Sequence, residues 1–222
     1  MTTIAVFGAT GQTGRRVVER LLREGHEVLA VSRREVPRRQ SLRSAQVDLS
    51  TASTDSLRAV LDGIDAVVFA AGGDSIRVDR DGAIRTIEAA ERAGVRQYVL
   101  LTGMGVGRDR PAELHGGFWD TYFAAKESSE RRLRASPMQW TILQPGELLN
   151  SPGRGRIELA PTGSLAIGAI TRDDVAEVIT AVLTRDDAAG RTWEILEGAV
   201  PVADAISRAT HGGGRELPRT VR

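Results

Sequence analysis

The sequence predicts an α/β protein: a doubly wound parallel sheet of about seven strands with helices on both faces and a small C-terminal lobe. Two observations predict it. Short apolar runs alternate with longer amphipathic ones along the chain, and Gly8, Gly11 and Gly14 stand at three-residue intervals where the first apolar run gives way to the first amphipathic one. In order, "IAVF" (4–7), "EVLAVS" (27–32), "AQVDL" (45–49), "DAVVFAA" (65–71), "QYVLLTG" (97–103), "WTILQP" (140–145) and "TWEIL" (192–196) read as strands. Several are apolar on both faces, as buried parallel strands are. Helical patterns lie between them at about 12–24, 54–62, 79–93, 118–135 and 173–184; in the third, Ile84, Ile87 and Ala90 recur at helical spacing ahead of Gly94, a helix stop. Residues 146–172 are rich in Gly and Pro and are expected to form an irregular substrate lobe within a single domain spanning 1–222, with 211–222 a flexible tail.

Composition narrows the partners. A formal charge of +1, from 30 basic and 29 acidic residues, gives no electrostatic case for nucleic acid or a membrane surface and favours a small-molecule ligand. The absence of cysteine excludes disulfides, thiol catalysis and cysteine-ligated metal, and no metal site is expected. No stretch reaches 18 unbroken apolar residues and no leader pattern precedes the first strand, so the expectation is a cytoplasmic monomer or homodimer.

Three motifs carry chemistry. The glycine turn follows a strand and opens a helix striped by Val17, Val18, Leu21 and Leu22, so the free N–H groups of the helix start face the space above the strand end. Bare backbone there permits a tight turn, close packing and the approach of a pyrophosphate, which points to a dinucleotide met by Gly8, Thr10, Gly11, Gln12, Thr13 and Gly14. The competing reading is a tight turn with no ligand. The second strand ends in "VSRRE", where a fold selective for NAD carries an acidic residue toward the ribose 2′-hydroxyl. The guanidinium forks of Arg33 and Arg34 suit a 2′-phosphate, so NADP(H) is expected in preference to NAD(H); the alternative is a solvated basic turn that continues through Arg38 and Arg39. Lastly, the only lysine in the chain, Lys126, stands four residues after Tyr122 in "TYFAAKESSERRL". One helix face then carries a phenol that can pass a proton and an ammonium that can hold ribose hydroxyls. A half-buried tyrosine beside a surface lysine is the plainer reading.

Together with "WTILQPGEL", these motifs resemble the short-chain dehydrogenase/reductase superfamily over about residues 3–185, and within it the small atypical NAD(P)-binding members similar to NmrA-like and biliverdin or flavin reductase-like proteins. The resemblance implies a Rossmann-type fold in which Asp48 and Leu49 flank the adenine and Ala70, Ala71 and Gly72 line the cofactor. It puts Thr102 near the nicotinamide ribose with Lys126, and Pro145 and Gly146 beside the nicotinamide. Asp79 falls where classical relatives carry an asparagine supporting the lysine. The family's catalytic serine belongs near "LLTGMGVG", where Gly103 takes its place and Thr102 alone offers a hydroxyl, so the catalytic set is Tyr122, Lys126 and Thr102. Met104, His115, Phe118, Trp119 and Leu148 are the candidate substrate contacts, with a surface-loop role the alternative for His115 and helix-start packing the alternative for the two aromatics. Three functions follow: an NADP(H)-dependent oxidoreductase acting on a small carbonyl, quinone or flavin-like substrate; an epimerase, isomerase or dehydratase that recycles its hydride; and a non-catalytic redox sensor.

Overall fold

The computed structural model describes residues 2–212. Strand β1 (Thr3–Phe7) leads into α1 (Gln12–Arg23), then β2 (Glu27–Ser32), β3 (Leu42–Gln46), α2 (Thr54–Val60) and β4 (Ala66–Phe69). A π-helical segment, Ser75–Gly82, runs on into α3 (Ala83–Ala93), followed by β5 (Gln97–Leu101), α4 (Gly117–Arg134) and β6 (Gln139–Pro145). The remainder holds β7 (Glu147–Leu149), β8 (Arg156–Pro161), β9 (Ala169–Thr171), α5 (Arg172–Leu183), β10 (Arg191–Glu197), β11 (Val200–Pro201) and α6 (Val202–Gly212).

Among the described residues, nine strands form one sheet in the order β11-β8-β10-β6-β5-β4-β1-β2-β3. From β3 to β10 every pair is parallel, and these seven strands are the seven expected. Their period of two divides the core between the faces. Ile4 and Val6 of β1 pack with Val17 and Leu21 of α1 and Val178 and Val182 of α5, while Ala5 and Phe7 pack with Leu57, Ile87 and Leu133 from α2, α3 and α4. Strand order reverses beside β1, whose neighbours are β2 and β4, and crevices at such switch points are where α/β sheets take ligands.

The sequence reading departs from the structure in three places. β3 begins at Leu42, paired with Val28, and ends at Gln46 instead of spanning 45–49, because the Asp48 carboxylate accepts from the Ser50 amide at 2.9 Å and turns the chain. Residues 146–172 are only partly irregular. "RIELAP" is β8, which lies antiparallel to β10 in the main sheet with Ile157 buried and Arg156 and Glu158 exposed, and β7 and β9 form a parallel pair of their own. The Gly and Pro residues that suggested an irregular lobe lie mostly in the turns between these strands. Helix α6 was not foreseen and runs through His211 and Gly212, the first two residues of the expected tail; 213–222 lie outside the described residues.

Candidate cofactor and active site

Each glycine of the first turn does different work. Gly8 has φ +80°, and a Cβ there would lie 2.7 Å from the Ala71 backbone. A Cβ on Gly14 would lie 2.1 Å from the Gly8 carbonyl oxygen, so this glycine lets α1 sit on the turn. Gly11 caps α1 with φ −71° and ψ 167°, an extended conformation open to any residue, and its Cβ would meet only the Gly8 oxygen at 3.1 Å. The fold therefore needs the first and third glycines bare far more than the second.

Above the turn is a cavity of about 360 Å³. The structure brings to it Gly8, Thr10 and Gly11 from the turn, Arg33 and Arg34 from the end of β2, Asp48 and Leu49, and Ala70, Ala71 and Gly72 from the end of β4. Gln12, Thr13, Gly14, Thr102, Lys126, Pro145 and Gly146 do not line it. Hydrogen bonds from the Ser50 hydroxyl (2.7 Å) and amide hold the Asp48 carboxyl below the usual carboxylate range, with a smaller pull from Arg33. Asp74, Arg77 and Val78 also line the cavity and were not singled out in the sequence, where only Asp79 of "DSIRVDRD" drew attention.

Tyr122 and Lys126 share one face of α4. The Lys126 ammonium is 5.6 Å from the centre of the phenol ring and 2.9 Å from the Asp79 carboxylate on the π-helical segment, and both charged groups are buried. Burial opposes the ammonium, but Tyr122, Asp79 and Glu130 more than offset it and hold the Lys126 pKa above the ordinary lysine value. Gly103 abuts the phenol: a Cβ at 103 would lie 3.2 Å from the Tyr122 hydroxyl. Thr102, the expected substitute for a catalytic serine, donates its hydroxyl to Glu130 at 2.6 Å, so that hydroxyl is taken up inside the protein. Glu130 is buried, accepts also from Gln144 (3.0 Å) and Arg134 (2.9 Å), and burial raises its pKa against the pull of Thr102. It was missed because Glu130 and Arg134 look like an exposed i,i+4 pair.

The candidate substrate residues separate. Met104 is buried against Leu165 and Leu196, while its amide donates to the Pro145 carbonyl at 2.8 Å. Gly146, donating its amide to Ile195, leaves no room for a side chain, since a Cβ would lie 2.2 Å from the Gly168 oxygen. The Leu148 carbonyl accepts from Arg172 at 2.6 Å. His115 is exposed and bonds the Arg110 carbonyl at 3.0 Å, which matches the surface-loop alternative. Trp119 stacks on Phe123 with centroids 5.8 Å apart, whereas Phe118 stacks on Tyr122 at 6.0 Å and remains 63% exposed.

Residues 8–186 match the NAD(P)H-binding family. The chain belongs to that family. It is 31% identical over 218 residues to the sugar epimerase YhfK of Bacillus subtilis, whose activity is uncharacterised, covering 92% of this chain and 99% of that one. It is 29% identical over 224 residues to an NAD(P)H azoreductase of Xenophilus azovorans, covering 93% and 73%. A solved Bacillus halodurans structure, provisionally assigned as an NAD-dependent epimerase/dehydratase, superposes with a TM-score of 0.84 at 30% identity, covering 94% of this chain and all of that one. As the motifs implied, this NAD(P)H-binding protein stands among Rossmann-fold, atypical short-chain dehydrogenase/reductase relatives. No helix among its described residues is long and apolar enough to cross a membrane.

Proposed function

We propose that this protein is an NADP(H)-dependent oxidoreductase of a small carbonyl, quinone or flavin-like substrate. The observation that carries the reading is the buried Asp79–Lys126 ion pair beside a phenol that packs on Gly103, an arrangement suited to moving a proton and costly to bury for structure alone. The residues fit a dinucleotide: the start of α1 with Gly11 bare suits a pyrophosphate, and Arg33 and Arg34 suit a 2′-phosphate. When bound, the nicotinamide supplies the hydride. Tyr122 gives the proton to the substrate oxygen, Lys126 keeps a positive charge beside the phenol, Asp79 fixes Lys126, and Phe118 offers a flat apolar wall.

The names of the Bacillus relatives favour a second reading, an epimerase or dehydratase that returns the hydride to its product. Continuous NADPH consumption with a panel of quinones, flavins, aldehydes, ketones and azo compounds tests the first reading; turnover of a sugar nucleotide with no net NADPH oxidation overturns it in favour of the second.

Cofactor choice is tested separately. Loss of the Arg33 contact to a 2′-phosphate is expected to cost about 1.5 to 3 kcal/mol, roughly ten- to 150-fold in NADPH affinity. Titration of wild type and Arg33→Ala with NADPH and NADH reads this directly, and a variant that keeps the wild-type preference transfers the role to Arg34.

A further inference from the structure

We infer that Arg77 is a third arm of the 2′-phosphate site, so that this phosphate is held between the end of β2 and the π-helical segment after β4. The inference rests on the reading that the cavity takes a 2′-phosphorylated adenosine. β2 and β4 flank β1 on its two sides, so Arg33 and Arg34 enter the cavity from one wall and Arg77 from the other.

What these three side chains share, besides the cavity, is the state of the carboxylates near them. Asp48 is tied to Ser50. Asp74 is tied to the backbone amides of Ile76 (3.0 Å) and Arg77 (2.8 Å), which also fixes the start of the π-helical segment that carries Arg77. Arg80, one turn further along the segment, is taken up by Asp81 at 2.7 Å. Among the described residues no carboxylate lies within 4.0 Å of the guanidinium of Arg33, Arg34 or Arg77; Arg15, Arg23 and Arg58 share that state, but they do not line this cavity. Three guanidiniums therefore line one cavity whose two carboxylates keep their charge but direct it at neutral amide and hydroxyl donors, which leaves the arginine N–H groups open to a phosphate. The pyrophosphate has its own seat at the start of α1.

The probes are 2′,5′-ADP and 5′-AMP, which differ only in the 2′-phosphate and need neither nicotinamide nor turnover. Calorimetric titration of wild type is expected to show at least about tenfold tighter binding of 2′,5′-ADP. Arg77→Ala should weaken 2′,5′-ADP about tenfold while leaving 5′-AMP within about twofold, and Arg77→Lys should recover part of the loss. Arg77 is exposed, and unchanged circular dichroism verifies the fold of each variant. Equal weakening of both probes would place Arg77 on the adenine or the 5′-phosphate, and no weakening would make it a solvated side chain; either result overturns the inference while the NADP(H) reading stands. Equal binding of the two probes by wild type overturns that reading and the Arg77 assignment together.

Discussion

Replacing Tyr122 with phenylalanine is expected to lower turnover by about 10² to 10⁴ while folding and NADPH affinity persist. The substitution removes one hydroxyl and almost no volume, and no neighbouring hydroxyl can take over: position 103 is glycine, and the Thr102 hydroxyl is engaged by Glu130. Lys126→Arg should also lose activity although it keeps the charge, because a planar guanidinium cannot occupy the compact, 5% exposed position that the ammonium holds 2.9 Å from Asp79. The two losses should be markedly non-additive, since both act on one proton transfer. Steady-state kinetics on a substrate found in the NADPH panel, with thermal melts as the fold control, checks all three. Wild-type turnover by Tyr122→Phe would mean that the proton comes from solvent and that the protein only positions substrate against the nicotinamide.

Gly11→Val is expected to abolish cofactor binding, by about a hundredfold or more, without unfolding the protein. The backbone at Gly11 is extended and a Cβ there meets only the Gly8 carbonyl oxygen, at 3.1 Å, so a branched side chain asks the turn to give by a few tenths of an ångström, far less than a side chain at Gly14 would. Gly14→Ala is the contrasting variant. Its methyl would lie 2.1 Å from the Gly8 oxygen, so it should lower thermal stability whether or not cofactor is present. Dinucleotide titration and circular dichroism separate the two effects, and wild-type affinity in Gly11→Val would show that the middle glycine has no ligand to admit.

The centre of the parallel core was legible because β1, β4 and β5 are buried on both faces and read as apolar runs, as "AVVF" of β4 does, whereas the half-exposed β3, "LRSAQ", was misplaced. β8 was not legible, because an antiparallel edge partner alternates, and its one fully buried side chain, Ile157, sits among Gly, Pro and charged residues. The same contrast holds at the site. Arg33, Tyr122 and Lys126 were visible because local spacing places them on a strand end or on one helix face. Glu130 and Arg77 act through partners 14 or more positions away or across a cavity, which no local pattern encodes: Glu130 meets Thr102 just past β5 and Gln144 of β6, and Arg77 shares the cavity with residues of β2. The misreading of Thr102 has the same origin, since a hydroxyl at a strand end looks available until the carboxylate packed beside it is known.

Because every other basic side chain is an arginine, Lys126 is the single side-chain amine in the chain, and the fold encloses it. Acylating and aldehyde reagents therefore find no lysine on the native surface, and crosslinking or dye labelling through lysine depends on excursions that part α4 from the π-helical segment. Such a reagent adds at most one side-chain label per molecule, and its rate of addition becomes a clock for the opening of the proton-transfer site itself.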